Sequence, residues 1–290
     1  MSRIRDVLSL VKFSHSIFAL PFALQGAWLA SGGVPGLREL GWIVLAAVAA
    51  RTAAMGFNRL VDRDIDAENP RTAGRELPAG KLSVGAVRAL VILASAVFFA
   101  AAFALNPLAG KLSPAVLVVL LGYSYVKRFH FTAHLVLGLA LALAPLGAWV
   151  AVRGNLEGDL LPILLLASVV WTWVAGFDLI YACQDAEFDR GRGLQSIPAR
   201  FGIRGALRLS RLLHVATVAL LAGFAYTSGL GWIYAFAVAG ASLLLAWEQS
   251  LVSPDDLSRV DVAFFTLNGW VGVALFVGMV VDLAVLPAAA

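Results

Sequence analysis

Residues 41–66 read GWIVLAAVAARTAAMGFNRLVDRDID, an apolar run that passes directly into a segment rich in carboxylates. A helix needs about 20 mostly apolar residues to cross the hydrocarbon core of a bilayer, and residues 41–58 come close to that length. Asn58, Asp62 and Asp66 then follow one another at intervals of four residues, so a helix that continued through them would carry all three side chains along one face. The stretch therefore predicts a membrane-spanning helix that ends in a cluster of oxygen-bearing side chains.

The composition of the chain excludes an ordinary soluble domain. Of its 290 residues, 60% are hydrophobic and 14% are charged, and the mean hydropathy is +0.85, whereas soluble domains carry about 25% charged residues. The net charge of +4 does not indicate nucleic-acid binding, because the charged residues lie in short segments between apolar runs. No linker or low-complexity segment divides the sequence, so we interpret residues 1–290 as a single transmembrane domain.

Apolar runs of sufficient length, some of them only with their flanking residues, occur nine times along the chain. We therefore expect an all-α integral membrane bundle of about nine transmembrane helices. The fourth run is the shortest and the least distinct as a separate span. The nine runs occupy residues 14–31, 41–58, 86–105, 113–127, 132–152, 161–182, 209–228, 231–248 and 261–281.

Lysine and arginine are distributed unequally between the two sides of such a bundle. Eighteen of them lie on the side that holds the N-terminus, against only Arg38, Lys111 and Arg153 on the opposite side. Short cytoplasmic loops are enriched in Lys and Arg, so we expect a multi-pass protein of the cell inner (cytoplasmic) membrane with a cytoplasmic N-terminus. The loops 59–85 and 183–208 on that side are long and rich in both charge signs, which is typical of functional loops.

A second acidic motif follows the sixth predicted helix. Asp185 and Asp189 repeat the four-residue spacing, and Asp178 lies about two helical turns before Asp185. Like charges at this spacing destabilise a helix, and carboxylates at the mouth of an apolar bundle lose hydration, so a bound cation would offset both costs. Carboxylate and amide oxygens suit Mg²⁺, which commonly completes its shell with substrate phosphates. One such motif alone is more often a solvated helix end paired with arginine, but two on one side of a membrane bundle indicate a binding site.

These motifs and their flanking segments resemble the UbiA family of membrane-embedded prenyltransferases, within it the 4-hydroxybenzoate-polyprenyltransferase-like branch. The family has an NxxxDxxxD motif after its second helix and a DxxxD motif after its sixth, which here match Asn58, Asp62 and Asp66, and Asp185 and Asp189. Three further segments resemble family signatures: GYSYVKR at 122–128, RTAGRELPAG at 71–80 and SIPARFG at 196–202.

The resemblance implies a reaction and a set of ligands. It implies Mg²⁺-dependent transfer of a polyprenyl group from a polyprenyl diphosphate to a small aromatic acceptor, either 4-hydroxybenzoate or a dihydroxynaphthoate, in ubiquinone or menaquinone biosynthesis. Asn58, Asp62 and Asp66 are then candidates to bind one Mg²⁺, with Asp185 and Asp189 for another, and the four aspartates are the candidate catalytic residues. The other partner of such a protein is the lipid bilayer, and the sequence does not decide the oligomeric state.

Seven further residues are candidates for substrate binding. Among the basic residues, Arg71, Arg75 and Lys127 are candidates to bind phosphate. Arg51, inside the second predicted helix, is a candidate to bind the carboxylate of an aromatic acid. The alternatives are that the first three only enforce the topology and that Arg51 snorkels or pairs with another helix. The remaining three are Tyr123 and Tyr181, which would line the pocket or belong to the interfacial belt, and Asp178, near the acceptor.

Some polar residues near these motifs are expected to have no part in the chemistry. Asp64 and Glu187 point to other helix faces and are interpreted as solvated charges. The histidines, His15 and His134 among them, are expected to hydrogen-bond across helices or to anchor a helix at the interface, since no second histidine stands at metal-ligand spacing.

Other functions remain as alternatives. Within the same fold, the acceptor would be haem, chlorophyllide or an archaeal lipid, and fold alone does not choose between them. A cation-coupled secondary transporter is the alternative from another class, but transporters place their ion-binding carboxylates near mid-membrane on broken helices rather than at helix ends. A non-catalytic scaffold is disfavoured because it has no need for paired acids.

Overall fold

A computed structural model describes residues 2–11 and 16–285, and every regular element in this part of the chain is a helix. A 3₁₀ turn, Cys183–Asp185, and a π-helical segment, Val262–Leu267, interrupt the α-helices. The α-helices are α1 (Ser2–Leu10), α2 (Ser16–Ser31), α3 (Leu37–Val61), α4 (Arg63–Glu68), α5 (Val84–Leu105), α6 (Pro107–Phe129), α7 (Ala133–Arg153), α8 (Leu161–Ala182), α9 (Ala186–Gly191), α10 (Ile197–Thr227), α11 (Trp232–Ser250) and α12 (Asn268–Val285).

Seven helices in the described residues are long and apolar enough to cross a membrane, which confirms the all-α membrane bundle. They are α3, α5, α6, α7, α10, α8 together with its extension to Gly191, and α12 together with the π-helical segment. The other two predicted spans, 14–31 and 231–248, coincide with α2 and α11. The first of these begins with residues, His15 among them, that lie outside the described part of the chain, and α11 ends in polar Glu248, Gln249 and Ser250. The predicted number of nine spans is therefore not confirmed.

The fourth predicted span, 113–127, is longer in the structure because local signals start it earlier. The side chain of Asn106 accepts a hydrogen bond from the backbone N–H of Ala109 at 2.8 Å, which caps the first turn of α6. Pro107 follows at the first helical position, where its missing N–H costs nothing. The helix thus has 23 residues and is a full-length span.

The two long segments predicted as loops, 59–85 and 183–208, contain more helix than the sequence predicted. The first includes the short helix α4, and the second includes α9 and the start of α10, which Ser196 caps by accepting a hydrogen bond from Ala199. The predicted loop 183–208 therefore ends at residue 196. Gly202, with φ +74°, bends α10 just after its first turns, a backbone conformation that favours glycine.

Helix α8 lies at the centre of the bundle between α7 and α10, and α2 packs against both α7 and α8. Its aromatic residues Trp173 and Phe177 are buried against Phe18 and Phe22 of α2. Helix α7 approaches α8 closely at Gly138, where a Cβ would lie 2.5 Å from the carbonyl oxygen of Trp171. This packing places the ends of α3, α6 and α8 near one another. Lys127 of α6 pairs with Asp62 at the end of α3, and the segment that follows α8 and α9 bonds through Gln195 to the backbone of Lys127.

Candidate active site

The first acidic motif spans a break between two helices rather than one straight helix. Helix α3 ends at Val61 and α4 begins at Arg63, with Asp62 between them at φ −88° and ψ 3°. The backbone N–H of Asp62 still donates to Asn58 O at 2.9 Å, and that of Asp66 to Asp62 O at 2.7 Å. The hydrogen-bond pattern of a helix, from each residue to the one four positions earlier, is thus kept across the break at Asn58, Asp62 and Asp66.

Asp62 is buried, with 3% of its surface exposed, and three side chains contact its carboxylate. The Nζ atom of Lys127 lies 2.8 Å from Oδ2, and the Asn58 amide donates to the same oxygen at 3.0 Å. Arg128 lies 3.4 Å from Oδ1 and also donates to the backbone oxygen of Val61 at 2.6 Å. These contacts bring the end of α6 against the end of α3.

Asp66 is equally buried but keeps one oxygen without a partner. Its Oδ1 accepts a hydrogen bond from Arg75 at 2.7 Å, while Oδ2 is buried and has no hydrogen-bond partner among the described residues. The hydroxyl of Thr72 donates to the backbone oxygen of Asp66 at 3.0 Å and holds the following loop in place. A buried carboxylate oxygen without a donor is a position where a ligand atom or an ion is expected.

The second motif is divided in the same way as the first. Helix α8 ends at Ala182, Asp185 closes the 3₁₀ turn, and Asp189 lies in α9. The guanidinium of Arg71 binds both oxygens of Asp185, with Nε 2.9 Å from Oδ1, and its Nη1 donates to the Tyr181 hydroxyl at 2.8 Å. Asn69 donates to Asp185 Oδ1 at 2.9 Å.

These contacts give Arg71 a strongly held charge. Partial burial alone would lower the pKa of its guanidinium, but the hydrogen bonds and charges of Asp185 and Tyr181 outweigh that effect and raise the pKa above its ordinary value. The guanidinium carbon also lies 5.0 Å from the centroid of the Tyr181 ring, within the range of a cation–π contact. Arg71, Tyr181 and Asp185 therefore form one unit.

Asp189 lies at the edge of this unit. Its carboxylate hydrogen-bonds to the side chain of Ser196 and is within electrostatic range of Asp185, Lys127 and His134. The backbone N–H of Gln195 donates to the carbonyl of Lys127 at 2.7 Å, which joins the segment after α9 to the end of α6.

The segment 69–75 connects the two motifs. From this single stretch, Asn69 and Arg71 reach Asp185, whereas Arg75 reaches Asp66. The structure therefore brings together the acidic motifs and the three predicted phosphate ligands, Arg71, Arg75 and Lys127. It leaves Asp64 at the surface, 80% exposed and paired with Arg63, as predicted.

The residues of the two motifs suit a hard divalent cation. In the described residues no group of three or more His, Cys, Asp or Glu side chains is arranged to hold a metal by itself. Mg²⁺ needs fewer, because it typically takes one or two carboxylates and fills its remaining positions with phosphate oxygens and water. The donor chemistry of Asn58 and the aspartates fits such an ion, as does the unpartnered oxygen of Asp66.

An apolar cavity of about 450 Å³ lies between α2, α3, α5, α6 and α7. Alanine, leucine and valine make up most of its wall, and Arg51 and Tyr123 are among its few polar residues. Along α6 it extends from Tyr123 to Ala109, a rise of roughly 21 Å for 14 residues. Arg51 and Tyr123 lie near enough to each other to interact electrostatically if the phenol ionises. Two of the predicted substrate-binding residues, Arg51 and Tyr123, thus line an apolar cavity beside the first motif.

The sequence did not indicate several partners within the site. Asp178 bonds to His134 of α7, with Oδ2 2.7 Å from Nδ1, so the expected cross-helix hydrogen bond of His134 is made to a candidate site residue. Asn69 and Arg128 were not singled out either. His134 and Asp178 are 44 residues apart, and no local pattern links residues at that separation. Arg128 is the last residue of the recognised segment 122–128, and Asn69 lies two residues before the segment 71–80, which was the available signal.

Comparisons with known proteins agree with this architecture. Residues 19–270 match the sequence profile described as the UbiA prenyltransferase family. The curated relatives include the 4-hydroxybenzoate octaprenyltransferases of Aeromonas salmonicida (strain A449), 32% identical and covering 89% of this chain and 88% of that protein. The enzyme of the same name from Pseudomonas aeruginosa (strain UCBPP-PA14) is 32% identical, covering 96% of this chain and 94% of its own.

Solved structures show the same fold. The apo structure of a UbiA homolog from Aeropyrum pernix K1 is 40% identical with a TM-score of 0.84, over 92% of this chain and 98% of that one. A UbiA homolog from Archaeoglobus fulgidus, solved bound to DMAPP and Mg²⁺, has a TM-score of 0.74 over 97% of this chain and 100% of its own. At 20% identity, that second likeness concerns the fold alone.

Proposed function

The chain belongs to the UbiA prenyltransferase family, and from this premise we propose that it transfers a polyprenyl group from a polyprenyl diphosphate to 4-hydroxybenzoate or a dihydroxynaphthoate. The observation that carries the proposal is the convergence of two acidic motifs and three basic side chains beside an apolar cavity. A lipid diphosphate has this combination of properties, with a polar head that carries several negative charges and a long apolar chain.

The polar head would bind between the two motifs. Asn58, Asp62 and Asp66 would hold one Mg²⁺, and Asp185 and Asp189 another, and the bound ions would stabilise the charge that develops on the departing diphosphate. Lys127, Arg71 and Arg75 now pair with Asp62, Asp185 and Asp66. We propose that these cations exchange carboxylate for phosphate oxygens when the diphosphate binds, since arginine and lysine bind both kinds of oxygen.

The apolar chain of the donor would occupy the cavity. Small alanine side chains leave the space between α3, α6 and α7 open, and its length along α6 suits an extended isoprenoid. Cleavage of the donor C–O bond produces an allylic cation next to Tyr123, whose ring can stabilise positive charge. The apolar wall excludes water, which would otherwise hydrolyse the cation.

The acceptor is an aromatic ring activated by its hydroxyl group. Arg51, at the cavity and within charge range of Tyr123, would bind the carboxylate of an aromatic acid and orient the ring toward the cation. Both 4-hydroxybenzoate and a dihydroxynaphthoate carry the carboxylate and the hydroxyl that this arrangement uses. The product would be an intermediate of ubiquinone or menaquinone biosynthesis.

We place this multi-pass protein in the cell inner membrane with its N-terminus and active site at the cytoplasmic side. The unequal distribution of Lys and Arg supports this orientation. Residues 1–290 would act as one domain, since the family match runs from residue 19 to residue 270 without interruption.

The test is an assay of the purified protein in detergent with Mg²⁺ and a labelled polyprenyl diphosphate. The acceptors 4-hydroxybenzoate and 1,4-dihydroxy-6-naphthoate are offered in parallel, and the lipid-soluble product is identified by mass spectrometry. We expect product from one acceptor, its loss on adding EDTA and its recovery with Mg²⁺.

Two variants of neighbouring aspartates make the assay specific. Asp62→Asn should reduce the rate at least about 100-fold, because the substitution removes a buried charge aimed at the reacting groups, whereas Asp64→Asn, at an exposed residue, should leave the rate unchanged. Diphosphate binding without product from either acceptor would redirect the proposal to another acceptor. If the folded protein bound no prenyl diphosphate, the proposal would be overturned.

A further inference from the structure

His134 and Asp178 form a buried pair between the start of α7 and the last turns of α8. Nδ1 of His134, near the start of α7, lies 2.7 Å from Oδ2 of Asp178, on the last turns of α8. The histidine is 7% exposed, and its other ring nitrogen, Nε2, is buried and has no hydrogen-bond partner among the described residues. A buried polar atom of this kind is seldom left without a partner, so Nε2 marks a place for a group that the protein itself does not supply.

The pair interacts electrostatically with one residue of the cavity and with one residue of the second motif. Asp178 is within electrostatic range of Tyr123, which lines the cavity. His134 is within the same range of Asp189 in α9. The titratable groups around the pair are thus Tyr123 of α6, near Asp178, and Asp189 of α9, near His134. Lys127 of α6 lies in turn near Asp189.

The hydrogen bond to Asp178 determines what Nε2 can do. A neutral imidazole that donates its Nδ1 proton to a carboxylate carries a lone pair on Nε2, so that nitrogen accepts a hydrogen bond or a proton. The carboxylate fixes the ring orientation and stabilises the imidazolium that forms when Nε2 takes a proton, as the aspartate does in the Ser-His-Asp arrangement. The acceptor proposed above has a hydroxyl whose proton must leave for the ring to become a strong nucleophile.

We propose that His134, oriented by Asp178, binds the hydroxyl of the aromatic acceptor through Nε2 and accepts its proton during prenyl transfer. This inference rests on the proposed function and names the base that activates the acceptor. His134 would be a catalytic residue, since it touches the substrate, and Asp178 a positioning residue that acts through His134.

The step is balanced as follows. A ring carbon conjugated with the hydroxyl forms a bond to the first carbon of the prenyl group, while the bond from that carbon to the diphosphate oxygen breaks and its electron pair stays with the diphosphate. The hydroxyl proton passes to Nε2 and leaves a neutral dienone. The ring proton is then lost to the diphosphate or to water, and the oxygen regains a proton from Nε2, which restores the phenol and the neutral imidazole.

The test compares His134→Gln and Asp178→Asn with the wild-type protein. General-base removal costs about 10²- to 10⁴-fold in rate, so we expect His134→Gln to lower kcat for prenyl transfer by that range. The KM for the prenyl diphosphate should change much less than kcat, because His134 is not among the residues that line the cavity proposed for the tail. Asp178→Asn should give a smaller loss of kcat, since the base is still present but less well oriented.

The dependence on pH and on the acceptor separates a base from a structural residue. When the phenol is already ionised, the base is no longer needed, so the deficit of His134→Gln should shrink as the pH approaches the pKa of the acceptor hydroxyl. For the same reason it should be smaller with a fluorinated acceptor, whose hydroxyl is more acidic. His130→Gln is the matched control, since His130 is exposed and its ring contacts its sequence neighbours, by hydrogen bonds with Thr132 and by stacking on Phe131. It should behave as the wild type does.

The outcomes separate this inference from the proposed function. A wild-type rate in His134→Gln, or a deficit that is equal at every pH and with every acceptor, would overturn the base assignment and leave the prenyltransferase proposal standing. Absence of product from the wild-type protein with both acceptors would overturn the proposed acceptors and this inference together. Size-exclusion elution and thermal unfolding of each variant are measured first, so that a misfolded variant is recognised. If His134→Gln is misfolded, the pH and acceptor dependence of Asp178→Asn decides instead.

Discussion

At the scale of single residues, the site is defined by how each carboxylate is neutralised. Asp62 is paired with Lys127 and held by the Asn58 amide, whereas Asp185 is bound by both arms of one guanidinium. A paired, buried charge is tolerated at membrane depth. If a metal neutralised these carboxylates, as proposed above, the same cations would be free to bind phosphate oxygens.

Arg71→Lys is expected to impair binding of the prenyl diphosphate without unfolding the protein. Lysine keeps the charge but cannot bind Asp185 with two parallel donors and reach the Tyr181 hydroxyl with a third. We expect a loss of about 10- to 100-fold in kcat/KM for the prenyl diphosphate, which corresponds to one or two charge-assisted hydrogen bonds. Arg63→Lys, in an exposed pair with Asp64, should change the same constant by less than about twofold. Equal effects in the two variants would contradict the assigned role of Arg71.

At the scale of the helices, two glycines of α7 give opposite expectations. A Cβ at Gly138 would lie 2.5 Å from the backbone oxygen of Trp171 and 2.9 Å from its ring, so α7 and α8 pack at backbone contact. A Cβ at Gly147 meets no atom within 4 Å. The two positions thus share a helix but differ in what lies opposite.

Gly138→Ala should destabilise the fold, and Gly147→Ala should not. The first substitution forces α7 away from α8, and overpacking of this kind costs typically 1–3 kcal/mol. The second removes backbone freedom from the unfolded chain and is expected to stabilise the helix by roughly 0.5–1 kcal/mol. Thermal unfolding in one detergent measures both variants. A lower Tm for Gly147→Ala than for Gly138→Ala would contradict the close backbone contact between α7 and α8 at Gly138.

The helix ends show where local sequence was sufficient and where it was not. The apolar runs located the spans because hydrophobicity is a property of each segment alone, and α5 and α8 lie where they were predicted. The bends at Asp62 and Asp185 were not predicted, since a four-residue spacing is the same on a straight helix and on two short ones. Ser196 and Asn106 are capping residues, and because of them α10 and α6 begin several residues before the apolar runs that predicted them.

At the scale of the whole molecule, the cavity is a feature that no single helix forms. It runs along the bundle from Arg51 and Tyr123 to Ala109, and most of its wall consists of alanine, leucine and valine side chains from five helices. If the prenyl chain occupies this space, the length of the cavity limits the length of the chain.

Ala109→Trp should shorten the prenyl chain that the protein accepts. An indole at the end of the cavity distant from Tyr123 fills space that a long chain needs, while leaving the Arg51 end unchanged. We expect kcat/KM for the longest donors to fall about 10-fold or more, in line with the steric cost of overpacking, and that for geranyl diphosphate to stay within about twofold. Competition between donors of different length measures the ratio directly. Ala239→Trp, on the exposed face of α11, is the control and should leave the preference unchanged.

The sequence by itself determined the membrane bundle and the helix ends that carry its polar chemistry. Hydrophobic runs and four-residue spacings are read along the chain, and they identified Asn58, Asp62, Asp66, Asp185 and Asp189 without knowledge of any contact. Only the tertiary structure decided which partner each carboxylate has. Arg71 meets Asp185 across 114 residues, and His134 meets Asp178 across 44. The cavity likewise exists only where five helices leave a space between them. Such pairings depend on how the helices pack against one another, and packing depends on the shapes of side chains that are distant in sequence.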